Sequence, residues 1–215
     1  MIKKIFLSLL IGTLAISTAA CGSKQNEKQS VSTDEEDYDK SVFSNSVFYG
    51  DSLFKRLSEL LKDSNVISNA GATAQFAVQD VDQIAKREPQ NVFILLGSDD
   101  ILMPVDYPIK NSMSHYATFI KKIKKQLPDT KIHVLSVTPV TKEAIKKEPR
   151  YKNIPDYNKA LKKMATKEKV DYIDLYPMFK KHQNLHSKDG VHFKADFYPL
   201  LLNYIEKQIQ SSKKQ

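Results

Sequence analysis

Only one of the 215 residues is cysteine, Cys21, and only six are glycine. A lone thiol cannot close an intramolecular disulfide, so a core must hold the fold. The glycines are scattered, and Gly71 and Gly97 stand alone where a phosphate-cradling loop would need a cluster. The five histidines include no pair at metal-ligand spacing, so neither a metal nor a cofactor is expected. Beyond the N-terminus no apolar run is long enough to span a bilayer. Acidic residues are in deficit, 25 against 33 Lys and Arg, leaving a formal charge of +8. The lysines form scattered pairs such as Lys121-Lys122, Lys146-Lys147 and Lys180-Lys181. A nucleic-acid partner would want a concentrated stripe with interleaved aromatics, so none is expected.

Residues 1–20 read as a segment that is removed. Lys3 and Lys4 give a short positive start, and Ile5 to Ile16 an apolar stretch too short to span comfortably. Ser17-Thr18-Ala19-Ala20 then precedes Cys21. The pattern resembles a bacterial lipoprotein signal, although Thr18 stands where leucine is usual. The resemblance implies a lipidated Cys21 and an extracytoplasmic protein anchored to the membrane. Each buried methylene of such an anchor contributes about 0.8 kcal/mol. An ordinary cleaved signal with a chance cysteine is the alternative. Gly22 to about Lys40 is Ser, Gln, Lys, Asp and Glu with almost no apolar residue, the composition of a flexible tether. The expected organisation is a signal over 1–20, lipidated cysteine and tether over 21–41, and one domain over 42–212.

Within that domain, short apolar runs alternate with amphipathic stretches. Val47-Phe48-Tyr49, Asn65 to Ser68, Val92 to Leu96, Ile132 to Val137 and Val170 to Ile173 read as strands. Val92 to Leu96 is apolar without alternation, as a central parallel strand should be. Helical spacing links Leu53, Leu57, Leu60 and Leu61. It also links Phe76, Val78, Val81 and Ile84, and Tyr116, Phe119, Ile120 and Ile123 ahead of Pro128. Tyr157, Leu161 and Met164 predict another helix, and Phe197 to Ile209 the last. Strands joined by helices imply an α/β fold, a five-stranded parallel sheet covered on both faces. Sites in such sheets lie beyond the C-terminal strand ends.

Two short motifs occupy positions of that kind. Gly50-Asp51-Ser52-Leu53 follows the first strand, and Asp189-Gly190-Val191-His192 precedes the last helix. A serine there exposes its hydroxyl beside the free N–H groups of a helix start. Ser52 alone could equally be an N-cap, and one Asp-x-x-His alone a turn. Together they supply a nucleophile, a base and a carboxylate to orient the base. His133 lies inside a strand, His115 on a polar helix face, and His182 and His186 in a Lys/Asn-rich loop, so His192 is the preferred base.

These blocks make the chain resemble the SGNH hydrolases, or GDSL-type esterases/lipases. The first block is matched by Gly50 to Leu53, the glycine block by Asn69-Ala70-Gly71-Ala72, the third by Gly97-Ser98-Asp99-Asp100, and the last by Asp189 to His192. Leu135 to Val140 and Asn153 to Leu161 are also similar to bacterial members, and the resemblance covers roughly residues 42–210. It implies a flavodoxin-like α/β/α sandwich. Ser52 would attack an ester carbonyl, with His192 as base and Asp189 orienting it. The Ser52 and Gly71 N–H groups would form the oxyanion hole, with the asparagine side chain of the third block. Here that asparagine is Asp99, which donates only when protonated; Ser98 is a possible substitute, and Asp100 is expected to brace the loop. The expected function is a cell-envelope serine esterase cleaving short-chain esters such as acetyl. Its partners would be an O-acylated cell-wall glycan or lipid and the membrane, and the protein would be monomeric. A non-catalytic surface binding lipoprotein and an O-acyltransferase using the same triad are the open alternatives.

Overall fold

The computed structural model describes residues 38–62 and 65–212. The expected signal, Cys21 and nearly all of the expected tether lie outside the described residues. The expected domain start at 42 falls inside a 3-10 turn, Lys40–Phe43, capped by the Asp39 side chain. Phe43 is already buried there, edge-on to Phe48 and Phe93.

Five strands form one sheet: β1 (Ser46–Gly50), β2 (Val66–Ser68), β3 (Asn91–Leu95), β4 (Lys131–Leu135) and β5 (Asp171–Ile173). Every pairing is parallel and the order is β2-β1-β3-β4-β5. That is the flavodoxin-like order, whose topological switch lies between the first and third strands. Parallel neighbours need crossovers, which the seven α-helices among the described residues and the 3-10 segments provide.

Strand periodicity divides the core in two. Val47, Tyr49, Val92, Ile94, Ile132 and Val134 face one cluster. It is closed by α1 (Ala74–Ala77), α2 (Val81–Ala85), α3 (Pro108–Gln126) and α5 (Ile154–Lys167). Phe48, Phe93, Leu95, Leu135 and Ile173 face the other, under the 3-10 helix Ser52–Glu59, α6 (Tyr176–Lys181) and α7 (Phe197–Ser212). Both faces of β3 are therefore dry, which is why its sequence does not alternate. Each of its large side chains contributes roughly 1.5–3 kcal/mol by burial.

The structure corrects the sequence in places. The helix expected from Phe76 to Ile84 is two short helices, and Phe76 is 51% exposed. Asp80 breaks the run. Its carboxylate accepts the Tyr49 hydroxyl at 2.7 Å, the Asn69 amide at 3.2 Å and the Gln83 amide at 3.0 Å. Those ties fix the start of α2. The Leu53 segment winds as a 3-10 helix, burying Leu53, Phe54 and Leu57, while Leu60 and Leu61 only flank the core. α4 (Lys142–Lys147), α6 and a 3-10 turn, Pro149–Asn153, had no signal in the sequence. The last helix begins at Phe197 as expected and runs past Ile209 to Ser212.

Candidate active site

β1 ends at Gly50, and the Asp51 carboxylate caps the next turn by accepting the Leu53 N–H at 2.9 Å. That cap fixes Ser52 at the first position of the 3-10 helix, on the β1 side of the topological switch. The candidate base arrives from a segment far along the chain. The segment Leu185 to Lys194 folds back on itself, with Ser187 N–H to His192 O at 2.7 Å and Lys194 N–H to Leu185 O at 2.9 Å. Gly190 sits at the tip with φ +75, and its carbonyl accepts the Thr141 N–H at 2.9 Å. A Cβ at Gly190 would lie 2.1 Å from the Thr141 hydroxyl, so only glycine fits.

The loop delivers His192 Nε2 to 2.9 Å from Ser52 Oγ, and His192 Nδ1 to 2.7 Å from Asp189 Oδ2. Asp189 Oδ1 accepts the N–H groups of Val191 and His192 at 2.9 and 3.0 Å. Burial pushes the Asp189 carboxyl up, but these two donors and the His192 ring outweigh it and hold it below the ordinary range. A carboxylate only accepts, so Nδ1 carries the ring proton and Nε2 is free to accept from the Ser52 hydroxyl. Ser52, His192 and Asp189 thus meet in the geometry of an activated nucleophile. The His192 and Asp189 side chains are about half exposed, 47% and 50%, so the site opens to solvent.

Gly71 lies in the turn after β2, at φ +74 and exposed. No acceptor among the described residues takes its N–H. The Ser52 N–H, at a helix start, is likewise unclaimed. Asp99 follows β3 across the switch from Ser52. It is half-buried, and its side chain caps nothing. Burial pushes its carboxyl up, with His192 pulling it down. Asp100 is buried and braces three elements, accepting the Ala74 N–H at 3.1 Å and the Ser112 hydroxyl at 2.5 Å. Ser112 in turn meets the Tyr157 hydroxyl at 2.6 Å.

Two supporting residues were not legible. Asp51 is 1% exposed and accepts the Ser98 hydroxyl as well as Leu53 N–H. Burial pushes it up to about 6, against the pull of those two donors. Ser98 is therefore committed to Asp51. His186 stacks on Phe179 and packs at a tilt against Phe193, and its Nε2 is 2.8 Å from the Pro139 carbonyl. A carbonyl accepts, so Nε2 carries a proton, and the bond ties the His192 loop to the segment after β4. His133 is elsewhere, buried in β4, stacked on Phe93 and paired with Asp171 at 3.1 Å. His115 lies on α3, and His182 closes α6.

A family model described as GDSL-like Lipase/Acylhydrolase matches residues 38–200. Solved structures show the same fold. A GDSL-like lipase from Bacteroides thetaiotaomicron VPI-5482 is 20% identical, with a TM-score of 0.64 over 80% of this chain and 90% of its own. An acetyl xylan esterase is 16% identical, with a TM-score of 0.62 over 76% of this chain and 99% of its own. The lipase/acylhydrolase from Enterococcus faecalis is 16% identical, with a TM-score of 0.59 over 78% and 96%. No curated protein sequence matches the chain.

Proposed function

The chain belongs to the GDSL-like lipase/acylhydrolase family, and from that premise we propose that it is a serine ester hydrolase acting through Ser52, His192 and Asp189. The observation that carries the proposal is the unbroken relay from Ser52 Oγ to His192 to Asp189, at 2.9 and 2.7 Å. Ser52 Oγ attacks the ester carbonyl as His192 Nε2 takes its proton. The tetrahedral oxyanion accepts from the N–H groups of Ser52 and Gly71. The imidazolium, steadied by Asp189, gives its proton to the departing alcohol oxygen. Water then repeats the sequence on the acyl-enzyme and frees the acid.

The acyl group in this reading is short, acetyl being the type case, and the alcohol is carried by an envelope glycan or lipid. The resemblance of Lys3 to Cys21 to a lipoprotein signal supports a membrane-anchored, extracytoplasmic enzyme. The half-exposed triad supports an alcohol too large for an enclosed pocket. One observation favours a second reading, a binding protein that has lost turnover: Asp99 stands where the family asparagine would donate. The test is hydrolysis of p-nitrophenyl acetate, with Ser52→Ala and His192→Ala in parallel. Turnover lost in both variants supports the hydrolase; equal rates in all three proteins leave the binding protein. A fluorophosphonate probe that fails to label Ser52 would point the same way.

A further inference from the structure

Beside the triad, but lined by none of its members, runs a groove of about 610 Å³. The segment after β4, α4, the 3-10 turn Pro149–Asn153 and the start of α5 form it, with β5 and the start of α6. Its volume lies within the roughly 300–1,000 Å³ of small-molecule sites and far exceeds what an acetyl group needs. The wall is apolar, with Val137, Val140, Ile145 and Ile154 beside the rings of Tyr151 and Tyr172. The rim is cationic: Lys152, Lys159 and Lys162 are exposed and have no carboxylate partner among the described residues. The Lys162 ammonium stands 5.9 Å over the Tyr172 ring. Against them the groove offers one acid, Asp174, whose carboxylate already accepts the Tyr176 N–H at 2.9 Å.

Two residues join this groove to the chemistry. Pro139 lines it and holds the His192 loop through His186. Tyr151 lines it too, and its phenol is pushed up first by burial and then by Asp99, Glu148, Asp51 and Asp189. The groove and the triad are thereby joined through the His192 loop.

We propose that the groove binds an anionic amphiphile, its alkyl chain along the apolar wall and its charged headgroup, such as a phosphate, against Lys159 and Lys162. A sugar face would want polar partners between the aromatic rings, and this wall supplies aliphatic side chains instead. The proposal rests on the ester-hydrolase reading only for its consequence, that the departing alcohol is lipid-like. Binding itself is independent of turnover.

The test is calorimetric titration of the full chain carrying Ser52→Ala, with three probes below their micelle concentrations: dodecyl phosphate, butyl phosphate and dodecyl maltoside. Each methylene removed from water is worth roughly fourfold in affinity, so dodecyl phosphate should bind at least tenfold tighter than butyl phosphate. It should also bind tighter than dodecyl maltoside, by a margin that shrinks at high salt. The double change Lys159→Ala/Lys162→Ala, on exposed positions, should weaken dodecyl phosphate about fivefold to tenfold and leave dodecyl maltoside nearly unaffected. Ile145→Asp should weaken both dodecyl probes. Equal affinity for butyl and dodecyl phosphate would overturn the proposal, as would indifference to all three substitutions. Dodecyl maltoside matching dodecyl phosphate would make the groove a sugar platform and refute it equally. Should amphiphile binding follow the expected pattern while wild type leaves p-nitrophenyl acetate intact, the hydrolase reading falls and the groove stands.

Discussion

Changing Asp99 to Asn tests the residue that, by the sequence resemblance, stands where the family has asparagine. The Asp99 side chain caps nothing, and its backbone carbonyl, which accepts the Leu102 N–H at 3.0 Å, is untouched by the change. The substitution therefore replaces one oxygen by an NH2 group with little structural cost. If the side chain faces the oxyanion, the change turns a repelling carboxylate into a donor. One such donor is worth about a hundred- to a thousandfold in kcat, or roughly 2.7–4 kcal/mol. The gain should be greatest at pH 8. Burial raises the Asp99 carboxyl, so on acidification wild type acquires its own O–H donor first, and the variant's advantage should shrink. The assay is kcat for p-nitrophenyl acetate from pH 5 to 8, expressed as the ratio of Asp99→Asn to wild type. Taking the ratio cancels the titration of every shared group that does not interact with Asp99. A ratio near one at all pH values would refute the argument, because the side chain would then face away from the oxyanion. A loss of activity in the variant would show that the carboxylate itself takes part.

Other expectations follow from the supporting residues. The raised Asp51 carboxyl means the folded state binds the proton more tightly than the unfolded chain, so this group's contribution falls as pH rises from about 4 to about 6. Asp51→Asn should flatten that slope, by about 3 kcal/mol across the window, in urea melts at pH 4 and pH 7. Gly190→Ala should cost about 1–3 kcal/mol in the same melts and lower kcat, with Thr141→Gly beside it returning part of both. Ser112→Ala leaves Asp100 and the Tyr157 hydroxyl each short of a partner and should cost about 1–3 kcal/mol.

The parallel sheet was legible because Val92 to Leu96 is apolar throughout, and only a strand buried on both faces needs that pattern. Of the candidate triad, the Asp189–His192 pair was legible because the two share one loop, while Ser52, 140 positions away, was joined to them by its place just past a strand and by the family resemblance. What escaped depends on partners distant in sequence. Asp80 divides a helical pattern because Tyr49, 31 residues earlier, donates to it. His186 looked like a loop histidine because its partner, the Pro139 carbonyl, lies 47 residues away. Asp51 looked like part of a motif, and its burial under Ser98 appears only once β1 and β3 are side by side. The groove is a shape shared by six segments, and no local pattern encodes it.

Ser52 and His192 are separated by 140 positions, the proposed nucleophile near the first strand and the proposed base just ahead of the final helix. During synthesis the ribosome releases Ser52 long before its base exists. A nascent or C-terminally truncated chain carries an ordinary hydroxyl with nothing to deprotonate it. In the proposed mechanism hydrolytic power would arrive last, with the segment that also supplies Phe193, Phe197, Leu201 and Ile205 to the core. Loss of the final thirty or so residues would remove the base and unroof that side of the sheet together. On that mechanism the order of the chain would act as a safety catch, with reactivity waiting on the segment that carries His192.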